Sequence, residues 1–103
     1  MTQKMSPLKT EVLRKFVLPL IDSYKHNDTA SATIIKESMM RAYENSTIAN
    51  PLRDILKTIE QQRTKPDMRI INLNLDEAQA IKDERFEVAA RIRDEIRRLG
   101  GKL

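Results

Sequence analysis

Residues 1–99 contain no glycine; the chain's two glycines, Gly100 and Gly101, stand together near its end. Tight β-hairpin turns call for backbone with φ > 0, which glycine supplies at least steric cost. A glycine-free body is therefore poor material for a meander of strands and good material for helices. The apolar residues agree. Leu8, Val12, Phe16, Leu20 and Tyr24 recur every four positions, with Leu13 and Val17 beside them. That spacing lays one broad stripe along a helix. The expectation is an all-α fold.

At 103 residues the chain has the length of one domain, or of a small domain with an appended hairpin. It has four aromatic residues and no tryptophan, so the core must be aliphatic. Charged residues make up 33%, but the apolar ones are periodic, which is the mark of a folded chain. Cysteine is absent, which removes disulfides, thiolate zinc sites and cysteine nucleophiles. No apolar run suits a signal peptide or a membrane span, and a cytoplasmic location without membrane contact is expected.

Along the chain, residues 1–5 read as a frayed tail. Ser6-Pro7 opens a helix, Ser as cap and Pro at the first helical position, running to about Lys25. Pro19 lies inside it and predicts a kink or break near Phe16–Leu18. His26-Asn27-Asp28-Thr29 is a turn carrying the next cap. Ile34, Ile35, Met39, Ala42 and Tyr43 form the second helix's stripe, and Glu44–Thr47 ends it. Asn50-Pro51 starts a third helix, with Leu52, Ile55, Leu56 and Ile59 facing inward. Residues 6–63 thus form a three-helix segment. Residues 64–73 read as a linker, with Arg69-Ile70-Ile71-Asn72-Leu73 extended. Asn74-Leu75-Asp76-Glu77 matches a capping box and opens a C-terminal helical hairpin over 74–99. Its turn falls near Lys82-Asp83-Glu84, with Asp83 capping the second helix and Gly100-Gly101 stopping it.

On a wheel of about 100° per residue, Phe86, Ala89, Ala90, Arg93 and Ile96 share one arc, extended by Ile92 and Leu99. The two alanines allow close helix approach beside a large aromatic anchor. Arg93 within that arc must snorkel outward or meet a carboxylate from Asp76, Glu77 or Glu84. The gap-free run from Ala80 to Ile96 has an acidic turn, then Phe86, the pair Ala89-Ala90, then Arg93-Asp94 before Ile96. This order resembles the UVR motif. In that family the motif is a helical hairpin that docks onto another hairpin. It joins the damage-recognition helicase and the endonuclease of excision repair, and serves protein contacts in Clp-type unfoldases and in the activator of a protein arginine kinase. The activators carry zinc-binding cysteine pairs, which this chain lacks. The repair subunits carry helicase or nuclease domains, for which it has no room. The resemblance implies a stand-alone small protein with a docking hairpin, and carries Phe86, Ala89, Ala90, Arg93 and Ile96 over as its partner-binding face.

No glycine-rich phosphate loop is present, and His26 is the single histidine, so metal clusters of histidine and Ser-His-Asp chemistry are not expected. Neighbouring carboxylates such as Asp94-Glu95 point about 100° apart on a helix and do not make an acid/base pair. No enzyme activity, cofactor or metal is expected. The function expected is a small adaptor or regulatory protein that binds a protein partner, with self-association as a further option. The alternative is a basic helical protein binding DNA or RNA. The net charge is +4 with a pI near 9.6, and the surplus of base lies in residues 1–75. Lys9, Arg14, Lys15, Lys25, Lys36 and Arg41 are the candidate nucleic-acid contacts. Against that reading, acids interleave with them, and the aromatics sit in apolar stripes.

Overall fold

The computed structural model describes residues 6–63 and 65–100, and among them every regular element is a helix. The order is α1 (Pro7–Val12), a π-helical segment (Leu13–Val17), α2 (Leu18–Lys25), α3 (Thr29–Tyr43), α4 (Ala49–Gln61), α5 (Met68–Lys82) and α6 (Phe86–Gly100). The expected tail at residues 1–5 and Gly101 lie outside the described residues.

The first helix starts as its sequence directs: the Ser6 Oγ accepts from the Lys9 backbone N–H at 3.1 Å, with Pro7 at the first position. Pro19 produces the expected distortion in a particular form. It has no N–H to give to Lys15, and the helix widens ahead of it, with the Leu18 N–H reaching Leu13 O. The chain stays helical from Pro7 to Lys25.

Two turns then solve the φ > 0 problem without glycine. Asn27 has φ 56°, and the N–H groups of Asn27 and Asp28 return to the carbonyls of Tyr24 and Ser23. Glu84 has φ 60°, and the N–H groups of Glu84 and Arg85 return to Ile81 and Ala80. Both are Schellman closures, a form that ordinarily places glycine at the left-handed position.

Asp28 caps α3 through Ser31 N–H at 3.0 Å. The inward stripe of α3 differs from expectation. Met39 and Ala32 are buried, Ile35 and Tyr43 half-buried, while Ile34 is 63% exposed and Ala42 is exposed. The α4 helix begins at Ala49 after an Ile48 that offers no side-chain cap, so Asn50 is inside the helix and not its cap. Leu52, Ile55, Leu56 and Ile59 are buried as expected.

The largest correction concerns residues 64–73. The stretch from Arg69 to Leu73 is not extended; it forms the first turns of α5, which starts after Asp67. Asp67 accepts the Arg69 N–H at 3.0 Å and supplies the true cap. Asn74 and Glu77 are therefore mid-helix and buried, not a capping box. Ile70 and Ile71 are β-branched and favour extended backbone, but here they sit on a helix and are buried by tertiary packing, which overrides local propensity.

The core is continuous across α1 to α5 and aliphatic apart from the buried Tyr24, with Val12, Val17, Leu20, Ile55, Ile59, Ile71 and Leu75 essentially sealed from solvent. Phe16 and Tyr43 meet edge-to-face at 6.1 Å on its border. The Tyr43 hydroxyl donates to Glu11 at 3.0 Å. Burial, with that carboxylate beside it, pushes the phenol up to about 12. The α5 helix packs against α1 and α4 as well as α6, and so joins the hairpin to the body.

Candidate functional site

The hairpin is α5 and α6, closed by residues 83–85. Asp83 ends α5 and its carboxylate accepts from the Gln79 side chain at 3.0 Å, so it does not cap α6 as expected. Arg85 holds that place, its carbonyl accepting the Ala89 N–H.

One ion pair spans the two helices. The Arg93 guanidinium donates twice to one oxygen of Glu77, from Nε at 3.1 Å and from Nη2 at 2.7 Å. The Glu77 side chain is 3% exposed and that of Arg93 50%. Glu77 is thus the carboxylate that takes Arg93, out of the three nearby in sequence. The bond to Glu77 holds the arginine's pKa above its already high ordinary value. A carboxylate this buried requires its cation, because removing either partner strands a charge.

The five predicted face residues do not share one environment. Ala89 is buried against α5 and Ile96 is half-buried. Arg93 lies between, tied to Glu77. Phe86 is 63% exposed near the turn, and Ala90 is exposed one turn on. Only Ala89 among the residues of α6 is buried. The arc read from the sequence therefore straddles the edge of the α5–α6 seam.

On the flank where α6 approaches α4, a groove of about 530 Å³ opens, lined by Asp54, Lys57, Thr58, Gln61, Ile96, Arg97 and Gly100. The α4 residues of this groove carry no sequence signal. Only the packing of α4 and α6 against α5 brings them together with Ile96 and Arg97.

The candidate nucleic-acid contacts divide. Lys9 pairs with Asp76 and Lys15 with Glu11, each at 3.2 Å, and Lys36 pairs with Glu60. Arg14, Lys25 and Arg41 are exposed. Among the described residues no group of three or more His, Asp or Glu could hold a metal ion. No described helix is long and apolar enough to cross a membrane.

The α5–α6 pair is thus a helical hairpin tied across its seam by Glu77 and Arg93. Residues 69–102 match the family described as the UvrB/uvrC motif, so α5 and α6 carry a UVR motif. The match begins close to where α5 begins, ahead of the Asn74 start read from the sequence. A UvrABC system protein B from Borreliella burgdorferi is 33% identical over 85 residues. That covers 81% of this chain and 13% of the relative. The likeness is longer than the motif itself and reaches into the helices before α5. No solved structure matches.

Proposed function

We propose that this chain is a non-enzymatic adaptor that binds another protein's helical hairpin through the outer edge of its own, and that it acts in the cytoplasm. The observation that carries the reading is the incomplete cover of α6. It is strongly amphipathic, yet α5 alone packs closely on it, and Phe86, Ala90 and part of Ile96 are left accessible beside the Glu77–Arg93 pair. A large aromatic next to a small residue forms an anchor and a close-approach seam, and a fixed guanidinium sets register. The motif match supports the same reading, because UVR is an interaction motif shared by proteins named as parts of one system.

A phosphate-binding role finds less support, since three of its six candidate cations are neutralised within the fold. The test is capture from native lysate at two salt concentrations with nuclease present, wild type beside Phe86→Glu. A partner bearing a helical hairpin, retained by wild type and lost by the variant at unchanged helicity, is expected. Recovery of nucleic-acid-associated material alone, abolished by nuclease, would overturn the adaptor reading in favour of the basic helices.

A further inference from the structure

Among the described residues the large apolar side chains left exposed fall in two groups. Phe86 and Leu99 lie on α6. Leu18 and Ile34, 51% and 63% exposed, lie on α2 and α3. Between α2 and α3 runs a groove of about 470 Å³, lined by Pro19, Asp22 and His26 on one side and by Asp28, Ser31 and Ile35 on the other. The two apolar side chains border it. Leu18 adjoins Pro19 and stands one turn before Asp22, while Ile34 adjoins Ile35 and stands one turn after Ser31. Apolar surface thus continues from the half-buried Pro19 and Ile35 onto both rims. The groove is also preformed. The Asp28 N–H reaches Ser23 O at 2.8 Å across the turn, and the Ser23 hydroxyl donates to Pro19 O at 2.9 Å. A wall built before binding loses little order when it is filled.

The charge of this groove is opposite to that of the molecule. The chain carries +4, and elsewhere Lys or Arg takes the carboxylates of Glu11, Glu60, Asp67, Asp76 and Glu77. Asp22 has only the His26 ring, its Nδ1 at 3.5 Å, and Asp28 accepts from Ser31, N–H at 3.0 Å and hydroxyl at 2.6 Å. The lining carries two negative charges with His26 neutral and one with it protonated. On the helix wheel Lys25 falls about 100° from His26 and about 120° from Pro19, on the side of α2 away from the groove. The α4–α6 groove has no such bias, since its lining mixes Asp54 with Lys57 and Arg97.

We propose that the α2–α3 groove is a second docking surface, whose occupant is a helix of another protein with a ridge of aliphatic side chains flanked by Lys or Arg. The ridge seats on Pro19 and Ile35 between Leu18 and Ile34, and the flanking cations meet Asp22 and Asp28. Charge selects this partner: an uncharged apolar helix leaves both carboxylates unmatched, and an acidic one is repelled. No residue of α5 or α6 takes part, so the surface stands or falls apart from the hairpin reading.

The test titrates a short amphipathic peptide built only of Leu and Lys into the full-length chain, with the same pattern of Leu and Glu as its control, and reads amide shifts by NMR. The Leu–Lys peptide should move amides around Leu18, Asp22, Ser31 and Ile34, and the Leu–Glu peptide should not. Asp22 and Ile34 are exposed, so Asp22→Lys and Ile34→Ser should keep the wild-type melting temperature. Each should weaken the Leu–Lys peptide about tenfold. Phe86→Glu should bind it as the wild type does, which separates this surface from the hairpin edge. Absent shifts, shifts centred on another face, equal binding of the Leu–Glu peptide, or full affinity in the Asp22→Lys, Ile34→Ser double variant each overturns the proposal. So does movement of the same amides with protein concentration alone, which makes a second copy the occupant.

Discussion

At the scale of single residues, the Glu77–Arg93 pair is where the hairpin stores most of its specificity. Glu77 is buried with its carboxylate held by one guanidinium. Arg93→Ala leaves that charge without its partner. Fully buried pairs lose roughly 3–5 kcal/mol on such a change, and the half-exposed arginine reduces this to about 2–3 kcal/mol, because water can reach the site. Urea unfolding of the variant should show a lower midpoint, and replacing both residues with Leu should recover part of the loss. A variant as stable as wild type would mean that water reaches Glu77 and replaces the guanidinium. Asn27 makes a second test. At φ 56° it tolerates the left-handed region better than most residues, so Asn27→Ala should cost about 1 kcal/mol while Asn27→Gly is neutral or stabilising. Equal effects of the two would mean that strain at this turn does not matter.

At the scale of elements, aspartates open two helices and tie stability to pH. Hydrogen bonds from Ser31, side chain and backbone, hold the Asp28 carboxyl below its ordinary 3.8, and Arg69 does the same to Asp67. A lowered carboxylate pKa in the fold means that the unfolded chain binds protons more readily. The stabilisation is therefore complete above pH 3.8 and is lost as pH falls through the lower folded values. Melting temperature should drop on acidification across that range, and the drop should shrink in the double variant Asp28→Asn, Asp67→Asn, whose caps cannot titrate. An undiminished drop in that variant would assign acid sensitivity elsewhere, with Glu60 beside Lys36 the next group to replace. These caps also show what was legible. Ser6-Pro7 and the turn at residues 26–29 announced their helices because a cap acts within three residues. The α5 start was missed because Asn74 to Glu77 spells an equally good cap, and only the burial of both side chains tells the two apart. The sequence placed Phe86, Ala89, Ala90, Arg93 and Ile96 on one arc of α6. The division of that arc into a buried and an open edge was not legible, since that depends on where α4 and α5 stand.

At the scale of the whole molecule, the core and the α5–α6 seam predict two levels of stability. Ile71 is fully buried where α5 enters the core that joins α1 to α5. Ile71→Ala removes methylenes from that core and should cost about 3–4 kcal/mol, a large part of the stability of a chain this size. Its effect should be global, with the amides of α2, α4 and α5 exchanging faster together. The α6 helix belongs to a different unit. One of its residues is buried, α5 is its chief support, and its hinge is strained. It should open below the free energy of global unfolding, as weakly covered elements do. Hydrogen exchange at low denaturant and low protein concentration should show α6 amides exchanging well ahead of α4 and α5. Ala89→Asp should widen that gap while leaving α1 to α4 protected. If α6 instead exchanges in step with α4, the hairpin and the body form one cooperative unit. The opening of α6 would then require global unfolding, and Ala89→Asp should lower the protection of every helix together.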